Sequence, residues 1–267
     1  WVKDEMNFVP FEEKPELDRW ITSKLQTLVK EVTAFYEDYE PTKAARAIET
    51  FVDQDLSNWY VRLCRRRFWK GEYEQDKICA YQTLFECLET MSKLIAPIAP
   101  FFADWLFNNL NTVTGRFSEA SVHHTNYPKQ DLNVINIELE KRMKVAQDIS
   151  SLILSVRKKV NIKVRQPLQK VVVPVLDAGM AKRLKSVEEI IKAETNIKEV
   201  AALVSDNDFI KKKAKANFKT LGKKLGPKMK WAADTIAALD NATIDTILQG
   251  EFILNADYLQ KGEEPIS

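Results

Sequence analysis

The stretch PELDRWITSKLQTLVKEVTAFYEDY, residues 15–39, places Leu17, Trp20 and Ile21, Leu25, Leu28, Val32, Phe35 and Tyr39 at steps of three and four. That spacing predicts a helix with one apolar stripe. Pro15 suits its first turn, and Glu16 and Asp18 lie at the positive end of the helix dipole. Glu40-Pro41-Thr42 ends this helix and starts the next. A single stripe must be covered, and the following segments supply partners. A second helix, about 42–69, presents Ile48, Val52, Leu56, Trp59 and Leu63 as core and stops at Gly71. A third, about 75–96, carries Ile78, Tyr81, Phe85, Leu88, Met91 and Ile95. Pro97 and Pro100 punctuate before a fourth at about 100–113, and turn-forming residues fill 115–132. A long helix, about 134–160, completes an antiparallel bundle.

Past Gln166-Pro167 the pattern changes. LQKVVVPVL is β-branched and alternating and reads as a strand. A helix over 180–194 and a second strand, IKEVAALV, make a β-α-β-like unit. A basic segment, short helices near 230–239 and 241–249, and a strand at EFILNADYL follow. The expected fold is mainly α, a helical bundle over 15–166 followed by a small α/β domain over 167–267, with 1–14 as a linker.

The 267 residues are 45% hydrophobic and 10% aromatic, with only seven glycines, a composition of globular helical proteins. LIAPIAPFFADWLF, the longest apolar run, is too short and too interrupted to span a bilayer. Three cysteines, Cys64, Cys79 and Cys87, lack CxxC spacing, which argues against a disulfide framework or structural zinc and for a reducing, cytoplasmic setting. The chain opens on Trp1 rather than methionine and reads as a piece of a longer protein.

Charge is segregated. Residues 141–230 carry 23 Lys and Arg against 8 Asp and Glu, whereas the remainder carries 17 against 30. The window 211–230 holds nine lysines and no acid, as a polyanionic partner would require. NWYVRLCRRRFWKG, residues 58–71, combines four arginines and a lysine with four aromatic rings. On a wheel of about 100° per residue, Asn58, Arg62, Arg65 and Trp69 form a stripe beside the core, while Arg66 falls on the core stripe itself. A buried, unpaired guanidinium is costly, so either the helix end projects beyond the core or an acid meets Arg66. Guanidinium groups fork onto phosphates, and aromatic rings stack unpaired bases. The rival reading makes Trp59 and Phe68 core and pairs the arginines with Asp53, Asp55, Glu72 and Glu74. For Trp59 the core reading is the better one.

DRWITSKLQTLVKEV, YEPTKAARAIETFVDQDLSNWYVRLCRRRFW, LIAPIAPFFADWL, SVHHTNYP, IKVRQPL and NFKTLGKKLGPKMK, in this order, resemble the C-terminal half of isoleucyl-tRNA synthetases. The resemblance implies an anticodon-binding bundle and a C-terminal junction domain that supports the tRNA. It implies a parent class I ligase that uses ATP and magnesium, with residues 1–14 leading from its upstream catalytic region. Neither the His-x-Gly-His signature nor the Lys-Met-Ser-Lys-Ser loop is present, and Thr90-Met91-Ser92-Lys93 is an echo of the latter inside a helix. The expected role is therefore RNA binding without bond chemistry, as a monomer, with isoleucine-accepting tRNA as partner, no membrane and no cofactor in this piece. The residues expected to touch tRNA are Asn58, Arg62, Arg65, Arg66, Trp69, Lys70, Lys158, Lys163, Arg165, Lys219, Lys223 and Lys224. The C-terminal zinc site of some members has no counterpart, since no cysteine follows Cys87. Adjacent His123 and His124 read as loop, not as metal ligands. The alternatives are a helical protein-interaction module and the same region of a valyl or leucyl synthetase.

Overall fold

The computed structural model describes residues 8–69, 72, 74–175, 177–204, 213–218, 221, 226–240, 243, 244 and 247. The chain forms two compact units, residues 1–173 with 178–202, and 174–177 with 203–267. The change of pattern near 166 lies within the first of these units. The predicted strand at 251–259 lies outside the described residues, as does most of 241–249.

In the first unit, helix α1 (Glu16–Glu37) is central and buries Trp20, Ile21, Leu25, Leu28, Val29 and Val32. It packs against α2 (Pro41–Thr50), a π-helical segment (Phe51–Val61), α4 (Gln75–Ile95) and α6 (Ile137–Lys159). Tyr39, placed on the stripe by periodicity, is exposed and takes a left-handed φ of 57° where α1 ends. Helix α5 (Pro100–Thr114) packs on α4 and stops at Gly115, whose φ of 60° suits a glycine cap. Ser23 and Thr27 of α1 both donate to the Glu140 carboxylate, and Asn136 caps α6 by accepting from Leu139 N–H at 3.0 Å.

The second predicted helix is not a uniform α-helix. After α2 it widens into the π segment, turns at Cys64 and finishes as the short α3 (Arg65–Trp69). Wide i→i+5 turns hold more residues per turn than the wheel assumes, so the inward phase drifts. The inward residues are Ile48, Phe51, Asp55 and Leu56, Trp59 and Tyr60, then Cys64. Val52 is 39% exposed instead of core, and Leu63 is only half-buried. Arg66, expected on the core stripe, is exposed, and Arg67 is the arginine that turns inward.

Arg67 grips Asp18 with both ends of its fork, Nη1 to Oδ1 at 3.0 Å and Nη2 to Oδ2 at 2.6 Å. Its Nε donates to Asp76 Oδ2 at 2.9 Å, and the Tyr60 hydroxyl donates to Asp18 Oδ1. Asp18 is fully buried, so one carboxylate ties α1 to the π segment and α3, while Arg67 carries the tie on to α4. Burial by itself would lower the Arg67 guanidinium, but the hydrogen bonds and charge of Asp18 hold it above its ordinary value.

The three cysteines are free and buried. Burial pushes the thiol of Cys64 up to about 11 and that of Cys79 to about 12, and raises Cys87 well above its usual value. Thiolates are the reactive form. At pH 8 a thiol reagent is therefore expected to leave the folded chain unlabelled over the time in which it labels three thiols in urea. Rapid native labelling of any one cysteine would contradict this burial.

Strand β1 (Leu168–Val175) pairs with β2 (Ile197–Val204) in a two-stranded sheet. The connection holds two helices, α7 (Ala178–Ser186) and α8 (Glu188–Thr195), broken at Val187 rather than continuous as the pattern predicts. Leu168 N–H donates to Asn196 O at 3.1 Å, which joins the starts of the two strands and makes them parallel. The described part of the second unit contains α9 (Met229–Ala237), which buries Met229 and Ala232. Among the described residues no helix is long and apolar enough to cross a membrane.

Candidate nucleic-acid interface

Helix α3 is five residues long and divides cleanly. Arg67 and Phe68 face the bundle. Phe68 meets Tyr81 edge-on with ring centroids 5.2 Å apart, and its carbonyl accepts from Tyr81 OH at 3.1 Å. With these two anchored, Arg65 and Arg66 are exposed and Trp69 is 80% exposed. Among the described residues neither arginine is paired with a carboxylate. The buried Asp18–Arg67 clasp thereby aims two free guanidinium groups and an indole at solvent.

Arg62 and Asn58 are placed differently. Arg62 Nη2 is 2.7 Å from Glu194 Oε1 of α8, and its guanidinium lies 5.7 Å from the centre of the Trp59 ring. Asn58 Nδ2 donates to Asp53 Oδ1 at 2.9 Å. The carboxylates that meet the arginines, Asp18, Asp76 and Glu194, are none of the four that lie near them in sequence. Asp55 instead sits 3.6 Å from Lys24 and accepts from Gln147 Nε2 at 2.9 Å. Trp59 is core, 4% exposed. Lys70 lies outside the described residues.

The basic turn after α6 has its own architecture. Arg157, in the last turn of α6, is 2% exposed. It donates from Nη1 to the carbonyls of Lys163 at 3.1 Å and Gln166 at 3.0 Å, and from Nη2 to that of Asn196 at 3.1 Å. Asn196 caps α8 at a φ of 53° and donates from Nδ2 to the carbonyls of Val164 at 2.9 Å and Arg165 at 3.2 Å. All four carbonyls of residues 163–166 are thus gathered by two side chains, and a cation at two helix C-termini is electrostatically favoured. Lys163 and Arg165 are exposed, as is Lys158. Since Glu194 and Asn196 end the same helix, Arg62 and this turn flank one end of α8. Arg157 belongs to the basic run Arg157-Lys158-Lys159. It is a buried tie, and no local pattern marks it.

In the lysine-rich window, Lys213, Lys215, Lys228 and Lys230 are exposed. Lys219, Lys223 and Lys224 lie outside the described residues. His123 and His124 are exposed on a short 3-10 turn, and no cluster of metal-ligating side chains occurs among the described residues. An aromatic patch missed in the sequence lies at the start of α5, where Phe101 is exposed and Phe102 stacks on Trp105 at 5.8 Å. That helix contains no lysine or arginine, so it lacks the charge to hold phosphates.

Residues 18–172 match the family model of the anticodon-binding domain of tRNA ligase. The chain is 48% identical over 250 residues to an isoleucine–tRNA ligase of Bacteroides thetaiotaomicron, covering 93% of this chain and 22% of that protein. It is 50% identical over 246 residues to one from Cytophaga hutchinsonii, covering 92% of this chain and 22% of the relative. With one from Treponema denticola the identity is 38% over 234 residues, 88% of this chain and 21% of the relative. The chain therefore spans about a fifth of the length of the relatives it matches. With more than half of its residues matched, the chain belongs to the family of anticodon-binding domains of tRNA ligases.

Proposed function

We propose that this chain is the tRNA-binding part of an isoleucine–tRNA ligase, holding isoleucine-accepting tRNA by its anticodon loop. Charging, with ATP and magnesium, takes place elsewhere in a longer parent. The single observation that carries the reading is α3, where a buried ion pair presents Arg65, Arg66 and Trp69 outward within the matched family region. Lys158 at the end of α6 and Lys163 and Arg165 on the clamped turn add a second phosphate-binding group. Lys70, Lys219, Lys223 and Lys224 extend the same basic character in sequence, and Asn58 and Arg62 border the first group. The relatives named above are all isoleucine enzymes, which favours this type over a valyl or leucyl one.

Each phosphate neutralised on a single strand contributes about −0.7 to the slope of log K against log salt, and about −0.9 on a duplex. The double variant Arg65→Ala/Arg66→Ala is expected to flatten that slope for tRNA by roughly 1.4 to 1.8. Both side chains are exposed, so the helical circular-dichroism spectrum and the melting temperature stay near the parent values. Filter binding across a salt series with isoleucine and valine tRNAs provides the measurement. An unchanged slope would remove α3 from the interface.

A further inference from the structure

The π segment, Phe51–Val61, is 11 residues long, whereas π winding is mostly confined to a single turn inside an α-helix. The sequence here carries two inward stripes at once. One is the stripe that the structure buries: Ile48, Phe51, Asp55 and Leu56, Trp59 and Tyr60, then Cys64. The other keeps α-helical steps of three and four, Ile48, Val52, Leu56, Trp59 and Leu63, with Arg66 next. Beyond Trp59 the two part by one position, Cys64 against Leu63 and Arg67 against Arg66. The structure leaves Val52 exposed and Leu63 half-buried, so the second stripe is present and only partly used.

Arginine stands on both stripes, because residues 65–67 are all arginine. The buried Asp18 carboxylate therefore meets a guanidinium in either winding. A buried charge left without a partner is strongly destabilising, so a winding with any other residue at that place is disfavoured. Three contacts select the observed one. Asn58 Nδ2 donates to Asp53 Oδ1 at 2.9 Å across five positions, a spacing that faces over a wide π turn. On an α-helix the facing neighbours are three and four apart. The Tyr60 hydroxyl donates to Asp18, and Phe68 meets the Tyr81 ring at 5.2 Å. Against these stands the apolar surface of Leu63 that α winding would bury.

We infer that residues 51–61 form a register switch. In the π form Arg67 enters the Asp18 clasp, and Arg65, Arg66 and Trp69 face solvent. In an α-wound form of the same segment Arg66 enters the clasp, Leu63 takes the place of Cys64 in the core and Arg67 turns out. The switch is a property of the bundle and stands without the RNA-binding reading. Under that reading, a polyanion held by Arg66 binds the π form and shifts the population toward it.

Urea unfolding of the whole chain provides the test. Arg66→Ala is expected to keep the folding constant within about 2-fold of the parent's, since that side chain is exposed. Arg67→Ala is expected to lower it only about 10-fold, the scale of a lost aromatic pair, because rewinding brings Arg66 to Asp18. Arg66→Ala/Arg67→Ala leaves neither stripe a guanidinium and is expected to lower it at least about 100-fold, or to prevent folding. Leu63→Ala separates rewinding from an Arg66 side chain that merely reaches inward. Its cost is expected to be at least about 5-fold greater in the Arg67→Ala background than in the parent, because there Leu63 is core. Equal folding constants for Arg67→Ala and the double variant, or an equal cost of Leu63→Ala in both backgrounds, would overturn the switch. With isoleucine tRNA, Arg67→Ala is expected to flatten the salt slope as much as Arg66→Ala does, by roughly 0.7 to 0.9 for one phosphate. If Arg66→Ala flattens it and Arg67→Ala does not, Arg66 has stayed at the surface and the switch is wrong. If no tRNA binds the parent chain, the RNA-binding reading fails and the unfolding results still decide the switch.

Discussion

Replacing Asp18 with alanine is expected to lower the unfolding free energy by about 3–5 kcal/mol, the cost of stranding a buried partner charge. Arg67 would keep a single carboxylate, that of the largely exposed Asp76, and the buried hydroxyl of Tyr60 would lose its closest acceptor. The pair itself is not worth that much, because both charges were desolvated to form it. Asp18→Leu combined with Arg67→Met is therefore expected to recover most of the loss. Urea unfolding of both variants and of the parent chain measures the two numbers. A loss below about 1 kcal/mol for Asp18→Ala, typical of an exposed pair, would mean that the clasp does not anchor α3. RNA affinity separates the two roles of the clasp. The apolar double variant restores packing but not the two-pronged grip that orients α3, so its tRNA binding stays weaker than its stability alone would predict.

Arg157→Leu is expected to be destabilising by roughly 1–3 kcal/mol, since the Gln166 carbonyl loses its donor, whereas that of Lys163 keeps Gln166 N–H and that of Asn196 keeps Leu168 N–H. Arg157→Lys retains the charge but not the fork, so it recovers only part. The local consequence is more specific than the global one. With its carbonyls released, the 163–166 turn opens, and trypsin is expected to cut after Lys163 and Arg165 well before it does in the parent chain. Mass spectrometry of the early fragments identifies the bonds. Cleavage at those two positions at the parental rate would show that Asn196 alone holds the turn.

Much of this architecture was legible in the residues. The three-and-four spacing marked α1, α4, α5 and α6 to within a few positions, and the two β-branched runs marked the paired strands. These are local patterns, with each apolar residue a turn or a pleat from the next. The break at Val187 was not legible, because the apolar pattern runs through it. The cleft between the π segment and α6 was also invisible. Trp59 and Ser150 are 91 positions apart in the chain, and only the packing of the π segment on α6 makes them neighbours.

The amino-acid sequence by itself determined the helical bundle, the change of pattern after Pro167, the segregation of positive charge and the concentration of arginine and aromatic rings at the end of the second helix. The tertiary structure decided which of those arginines works inward. A π-helical segment winds more slowly than the wheel allows, so the inward position passed from Arg66 to Arg67. The acid that receives it, Asp18, stands 49 residues away, where it had read as a simple helix-dipole charge. Periodicity carries phase only while the residues per turn stay constant, and charge pairing between distant segments leaves no periodic trace at all.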